Sequence, residues 1–249
     1  MQQLPLSVCT IYSEDDSDKL KYCDEPLPGN IERIKLMTQP SGEFGMNLPV
    51  VNYRNKNSVN ALWKYKTKPF DTFSFSDAKN ACKLLASREW ILYLDADDVI
   101  QWIDSDFQSV FELGNEYGYV NCTVVSHRGN DDKPEMGWLW VNSQSRLYRN
   151  KKNFKYIYRV HENILPSIQA AGYSGLFSDI IIKHTGYNVS DDDMLKKMLR
   201  NLDYLSYDLQ HDYKDNPYLK QKLNKTIEAI KQLGYFDGIQ HSERYNSQV

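Results

Sequence analysis

The run Trp90-Ile91-Leu92-Tyr93-Leu94, followed at once by Asp95-Ala96-Asp97-Asp98, sets the narrowest limits on how this chain folds. Five consecutive apolar residues leave no polar face, so a strand built from them must be covered on both sides. Parallel strands sandwiched between helices meet that requirement. In an extended chain the side chains at i and i+2 point the same way. Asp95 and Asp97 are therefore expected to project together from the end of this strand. Two carboxylates held close repel each other and lose hydration, so a positive group is needed between them. A divalent cation is the simplest one. Mg²⁺ and Mn²⁺ take oxygen ligands, and a substrate's phosphates often complete their shells.

The flanking sequence extends the pattern. Ser76 is a candidate helix cap, with Asp77 in the first turn. Ala78, Ala81, Cys82 and Leu85 follow at i, i+3, i+4 and i+7, predicting one apolar face and a helix to about residue 87. Strand, helix and strand in this order point to an α/β layered domain. Further strands are expected at residues 6–12, 31–37, 48–53, 61–65, 117–126, 137–141, 144–148 and 180–183, the last ending at His184. Residues 13–30 are acidic and rich in turn formers, and they predict a loop with at most one helical turn.

The final third changes character. Met194, Leu195, Met198, Leu199, Leu202 and Leu205 form a helical stripe, and Asn216-Pro217 starts a second helix carrying Leu219, Leu223, Ile227 and Ile230. Gly234 is its expected stop. Asp191-Asp192-Asp193 after Ser190 complements a helix dipole and needs no metal. The expected division is residues 1–189 as the α/β domain and 190–249 as a helical extension packed on it.

The 249 residues, 41% apolar, suffice for a sizeable core. A net charge of −3 gives no global attraction to nucleic acid. The four cysteines, Cys9, Cys23, Cys82 and Cys122, have no metal-ligand spacing and are expected as reduced thiols. With no apolar run near the ~20 residues of a membrane span and no basic leader, the expected setting is cytoplasmic.

Several segments resemble family 2 glycosyltransferases of the GT-A fold. Phe73-Ser74-Phe75-Ser76-Asp77-Ala78-Lys79-Asn80 is similar to an F-(S/A)-x-A-R-N helix, and Trp90 to Asp98 is similar to W-I-L-x-L-D-A-D-E. Arg146-Leu147-Tyr148-Arg149-Asn150 resembles R-L-F-R-N. Val160-His161-Glu162 resembles x-H-E. Ile182 to Tyr187 resembles I-x-H-x-G-Y, and Arg200-Asn201-Leu202 resembles R-N-L. The likeness spans residues 70–205. Before them, Ser13-Glu14-Asp15 and Thr38-Gln39-Pro40-Ser41-Gly42 depart from the branch's K-N-E and D-x-G-S-x-D, which leaves the donor's base open.

The resemblance implies a GT-A, Rossmann-like mixed sheet flanked by helices, with a C-terminal helical pair. It implies an inverting, metal-dependent transfer of a sugar from a nucleoside-diphosphate donor. Asp95, Asp97 and His184 would hold Mn²⁺ or Mg²⁺, imidazole suiting Mn²⁺ better. Asp95, Lys79, Asn80 and Arg149 would bind the donor. Glu162 is the favoured general base, with Asp98 the second candidate and His161 orienting the acceptor or sharing the proton. The acceptor class is open among protein, glycan and modified nucleobase. Trp138-Leu139-Trp140 and Tyr156-Ile157-Tyr158-Arg159 are candidates for stacking on rings, or for the core. Lys151, Lys152, Lys155 and Arg159 make a small basic patch for a phosphate-rich acceptor such as DNA, or a solvated loop. The alternative function is a non-catalytic nucleotide- or glycan-binding module on the same fold.

Overall fold

A computed structural model describes residues 3–16, 19–20, 27, 30–68, 73–103, 107–128, 138–187 and 189–232. The chain divides into two compact units, residues 1–158 with 162–188, and residues 159–161 with 189–249.

The first unit is built on a nine-stranded mixed sheet. Its strands are β1 (Gln3–Tyr12), β2 (Asn30–Pro40), β3 (Val50–Arg54), β4 (Ser58–Tyr65), β5 (Trp90–Tyr93), β6 (Asp98–Trp102), β7 (Tyr117–Arg128), β8 (Trp138–Arg149) and β9 (Ser174–His184), in the order β3-β4-β2-β1-β5-β8-β7-β9-β6. Strands β4, β2, β1 and β5 run parallel. β8 enters antiparallel beside β5, and β7 is antiparallel to β8. β9 is parallel to β7, and β6 closes the edge antiparallel to β9. The expected mixed α/β sheet is present.

Trp90, Ile91, Leu92 and Leu94 are buried, as a strand without a polar face requires. Leu6, Val8, Leu92, Val124, Leu147 and Ile182 join Trp90 in the core on one sheet face. Burying each such side chain fully is worth about 1.5–3 kcal/mol. Helix α1 (Phe75–Lys83) presents Ala78, Ala81 and Cys82 to the interior. Its cap is Ser74 rather than Ser76: Ser74 is extended, and its Oγ accepts from the Asp77 N–H at 3.2 Å. A short helix α2 (Leu165–Ala170) was not legible in the periodicity.

Two strand expectations change. Residues 138–141 and 144–148 belong to one strand, because Asn142 and Ser143 stay in register opposite Val124 and Thr123 instead of turning; Gly137 lies outside the described residues. β9 begins at Ser174, not Ile180; its first half is amphipathic and partly exposed, which hid it from an apolar-run criterion. Cys9, Cys82 and Cys122 are free and buried; Cys23 lies outside the described residues.

The second unit contains the two expected helices, α3 (Asp191–His211) and α4 (Pro217–Gln232), packed against each other. Ser190 caps α3 through the Asp193 N–H. Gly234 lies outside the described residues. Segment 159–161 is held in this unit by Arg159, whose backbone N–H donates to Asp208 at 2.8 Å and whose guanidinium lies 4.2 Å from the Tyr207 ring centroid. Among the described residues no helix is long and apolar enough to cross a membrane.

Candidate active site

The site begins where β5 runs out of partners. The Leu94 N–H still donates to the Cys9 carbonyl at 3.0 Å, and then the chain turns: the Asp98 N–H donates to the Asp95 carbonyl at 3.0 Å. Asp95 to Asp98 is thus a tight turn, not extended backbone, so the i, i+2 alternation expected above does not apply. The turn instead brings residues i and i+3 together. Asp98 Oδ2 accepts the Asp95 N–H at 2.8 Å. Asp98 also opens β6, a strand the sequence reading missed, and sits opposite His184 at the end of β9. Thr185 fixes the turn from the other side, its N–H and its hydroxyl both donating to the Asp97 carbonyl at 2.9 Å. A Cβ on Gly186 would collide with the Asp97 carboxylate and lie 2.8 Å from His184 Nε2, so a larger residue here would have to displace both site side chains.

Four carboxylates, an imidazole, a guanidinium and an ammonium converge here. Arg146 on β8 is 2.9 Å from Asp95 Oδ2 and 3.3 Å from Asp98 Oδ2. His184 Nδ1 is 2.9 Å from Asp98 Oδ1 and 3.4 Å from Asp97 Oδ1. Lys79 reaches from α1 to 3.6 Å from Asp95 Oδ1 and pairs with Glu162 Oε1. Its ammonium also lies 4.0 Å from the Tyr93 ring centroid, a cation–π contact. Because the cap is Ser74, Lys79 stands in the second turn of α1, and its side chain acts as a point charge away from the first-turn N–H groups.

Burial by itself would raise the Asp95 carboxyl, but Arg146, Lys79 and His184 outweigh it and hold it well below the usual carboxylate range. Burial would lower His184, yet its hydrogen bond to Asp98 and the charges of Asp97, Asp98 and Asp95 raise it above an ordinary histidine. Asp95, Asp98 and His184 each offer a ligand atom, all within 4.8 Å of one another. Carboxylate oxygens with one imidazole fit Mn²⁺, and Mg²⁺ less well. The residue that completes this group is the fully buried Asp98; Asp97, expected there from sequence, lies 3.4 Å from the same imidazole. Asp98 is already engaged by Arg146, His184 and the Asp95 N–H.

The remaining expected site residues part company. Arg149 stands at the far end of β5, opposite Trp90. Its guanidinium serves Glu89 and the carbonyls of Tyr117, Leu113 and Gly114. Asn80 clamps backbone: its amide donates to the Tyr156 carbonyl and accepts the Tyr156 N–H, both at 2.9 Å. Arg146, in the R-L-Y-R-N segment, is the arginine that reaches the acidic turn. The pleat separates it from Arg149, since three residues along a strand reverse the face.

His161 belongs to the second unit, has a left-handed backbone (φ 54°), and has no partner for Nε2 among the described residues. Burial first, then Lys222, lower its pKa to about 4. The unfolded chain binds this proton near pH 6.5, whereas the folded chain refuses it until about pH 4. Its contribution is therefore present above pH 6.5 and lost as pH falls through that window, by roughly 1–3 kcal/mol. Urea unfolding of wild type and His161→Gln at pH 7 and pH 4.5 is expected to show a smaller acid loss in the variant. Equal losses would mean the imidazole is solvated.

The fold and site together describe a mixed α/β sheet with an acidic turn and an imidazole at the carboxyl end of a parallel strand, where open α/β sheets bind ligands. No protein-family model matches the chain. It is similar to the SPbeta prophage-derived glycosyltransferase SunS of Bacillus subtilis (strain 168), with 20% identity over 198 residues, 80% of this chain and 44% of that protein. The glycosyltransferase SunS of Bacillus phage SPbeta matches equally. The chain spans less than half the length of these curated relatives. Among solved structures, the mannosyltransferase PcManGT from Pyrobaculum calidifontis in complex with GDP-Man and Mn²⁺ aligns with a TM-score of 0.45 and 10% identity, over 94% of this chain and 72% of that one. S. aureus TarS 1-349 in complex with UDP aligns with a TM-score of 0.38 and 12% identity, over 91% and 72%.

Proposed function

We propose that this chain is a metal-dependent glycosyltransferase that moves a sugar from a nucleoside-diphosphate donor to an acceptor nucleophile, with inversion. The observation that carries the reading is the acidic turn: Asp95, Asp98 and His184 face one another at the end of a buried parallel strand, with Asp97 against the same imidazole and the Lys79–Glu162 pair beside Asp95. The similarity to SunS supports the reaction class.

Asp95, Asp98 and His184, with Asp97 adjacent, would hold Mn²⁺ or Mg²⁺. When bound, the cation supplies Lewis-acid stabilisation of charge on the departing diphosphate. The chain's own residues do the rest. Lys79 offers a point charge to a diphosphate oxygen. Arg146 keeps Asp95 ionised and holds both Asp95 and Asp98 in place. Glu162 takes the proton from the acceptor nucleophile. The mixed-sheet unit is the transferase domain in this reading, and residues 190–249 are its helical extension. The acceptor is a protein, a glycan or a modified nucleobase. The lysines 151, 152 and 155 are the remaining basic patch for a phosphate-rich one, since Arg159 is bound to Asp208 and Tyr207.

A thermal-shift panel of nucleoside diphosphates and their hexose conjugates, with and without Mn²⁺, tests the reading. One base is expected to raise the melting temperature only when Mn²⁺ is present, since a ligand that binds the folded state alone stabilises it. Asp97→Ala is expected to weaken that effect and to abolish sugar release. Binding without any transfer or hydrolysis would favour the non-catalytic module, and no response to any nucleotide would reject both.

A further inference from the structure

The pairing register carries a side chain from outside the acidic cluster into line with it. Asp98 on β6 is opposite His184 on β9, His184 is opposite Ser126 on β7, and Ser126 is opposite Trp140 on β8. Residues directly opposite across neighbouring strands present their side chains on the same face. Asp98, His184, Ser126 and Trp140 therefore form one row on one face of the sheet. With strands about 4.8 Å apart, the Trp140 backbone lies roughly 10 Å from that of His184.

The row marks where this face emerges from the core. In the next row inward, Ile182 and Val124 are 0% and 1% exposed. Trp140 is 50% exposed, which excludes a core role for its ring. Ser126, between Trp140 and His184, is buried and small. Beside Trp140 the outer edge of β8 carries no strand among the described residues, because β5 pairs only with Leu147, Tyr148 and Arg149. An indole with half its surface open, rigidly mounted on a paired strand, is an apolar plate with an electron-rich face. Along the row it stands two strand spacings from His184 and three from Asp98.

We propose that Trp140 is the stacking platform for a hexopyranose ring, whose C–H face packs on the indole while its hydroxyl edges remain in water. The proposal rests on the glycosyl-transfer reading above and adds the ring-binding residue. The same ring chemistry comes either from the sugar of the donor or from a saccharide acceptor.

Full-length wild type, Trp140→Ala and Trp140→Phe separate these sources. Calorimetry with Mn²⁺ would measure the nucleoside diphosphate alone and its hexose conjugate, and saturation-transfer NMR would measure methyl hexopyranosides. If the donor's sugar stacks, Trp140→Ala leaves the nucleoside diphosphate unchanged and weakens the conjugate about 3- to 10-fold, with Phe restoring most of the loss. If an acceptor saccharide stacks, both nucleotide affinities hold and the methyl hexopyranoside signal disappears in Trp140→Ala alone. Unchanged behaviour towards both probes overturns the proposal, and so does equal weakening of the nucleoside diphosphate and its conjugate. Failure of wild type to bind any nucleotide would strike the transferase reading, whereas a wild type that binds and a Trp140→Ala variant that matches it would strike Trp140 alone.

Discussion

Asp98→Ala is expected to lower the melting temperature of the metal-free protein by roughly 6–12 °C, from a loss of about 3 kcal/mol at ~2–4 °C per kcal/mol for a chain of this size. The cause is electrostatic. Asp98 has no exposed surface, and it meets Arg146, His184 and the Asp95 N–H at once. Removing it strands a buried guanidinium on Asp95 alone and leaves a backbone donor unsatisfied. A surface aspartate of the same sequence context would cost almost nothing. The check is calorimetric unfolding of Asp98→Ala, Arg146→Met and Asp98→Ala/Arg146→Met. The double variant removes the unpaired charge as well and is expected to recover part of the loss, because the coupling between neighbouring charges is what a double-mutant cycle isolates. A melting temperature within about 2 °C of wild type in Asp98→Ala would show that the guanidinium is solvated rather than buried.

Glu162→Gln is expected to reduce sugar transfer by about 10²–10⁴-fold while donor affinity stays nearly constant, the signature of a lost general base. Glutamine keeps the size of the side chain, and its amide oxygen still accepts from Lys79, so the pair's packing survives. What disappears is the capacity to take a proton. Single-turnover transfer and nucleotide calorimetry on the same preparation separate the two effects. Turnover within about threefold of wild type would move the proton to another group.

Much of the architecture was written in local pattern. The parallel strand at Trp90, the helix before it and the helical pair after residue 190 each follow from periodicity and capping, and each is present. The site was harder. Asp95, Asp97 and His184 stand out in the sequence, but strand alternation holds only as far as the strand does. The turn at Asp95–Asp98 overrides it, and Asp98 rather than Asp97 completes the buried set. Nothing in a window of sequence announces that residue 98 begins a strand paired 86 residues later with residue 184. The two arginines of one motif were equally hard to rank, because only the sheet's register shows that Arg146 turns to the acidic end and Arg149 to the other. Asn80 had the chemistry of a ligand contact, and its use on the Tyr156 backbone is a tertiary fact.

That use has a mechanical consequence. Lys79 and Asn80 are adjacent on one helical turn; the first meets the Glu162 carboxylate, and the second grips the chain six residues before it. The helix therefore works as a gauge block. It fixes the gap between ammonium and carboxylate by the pitch of its own backbone, leaving little of that tolerance to the intervening loop.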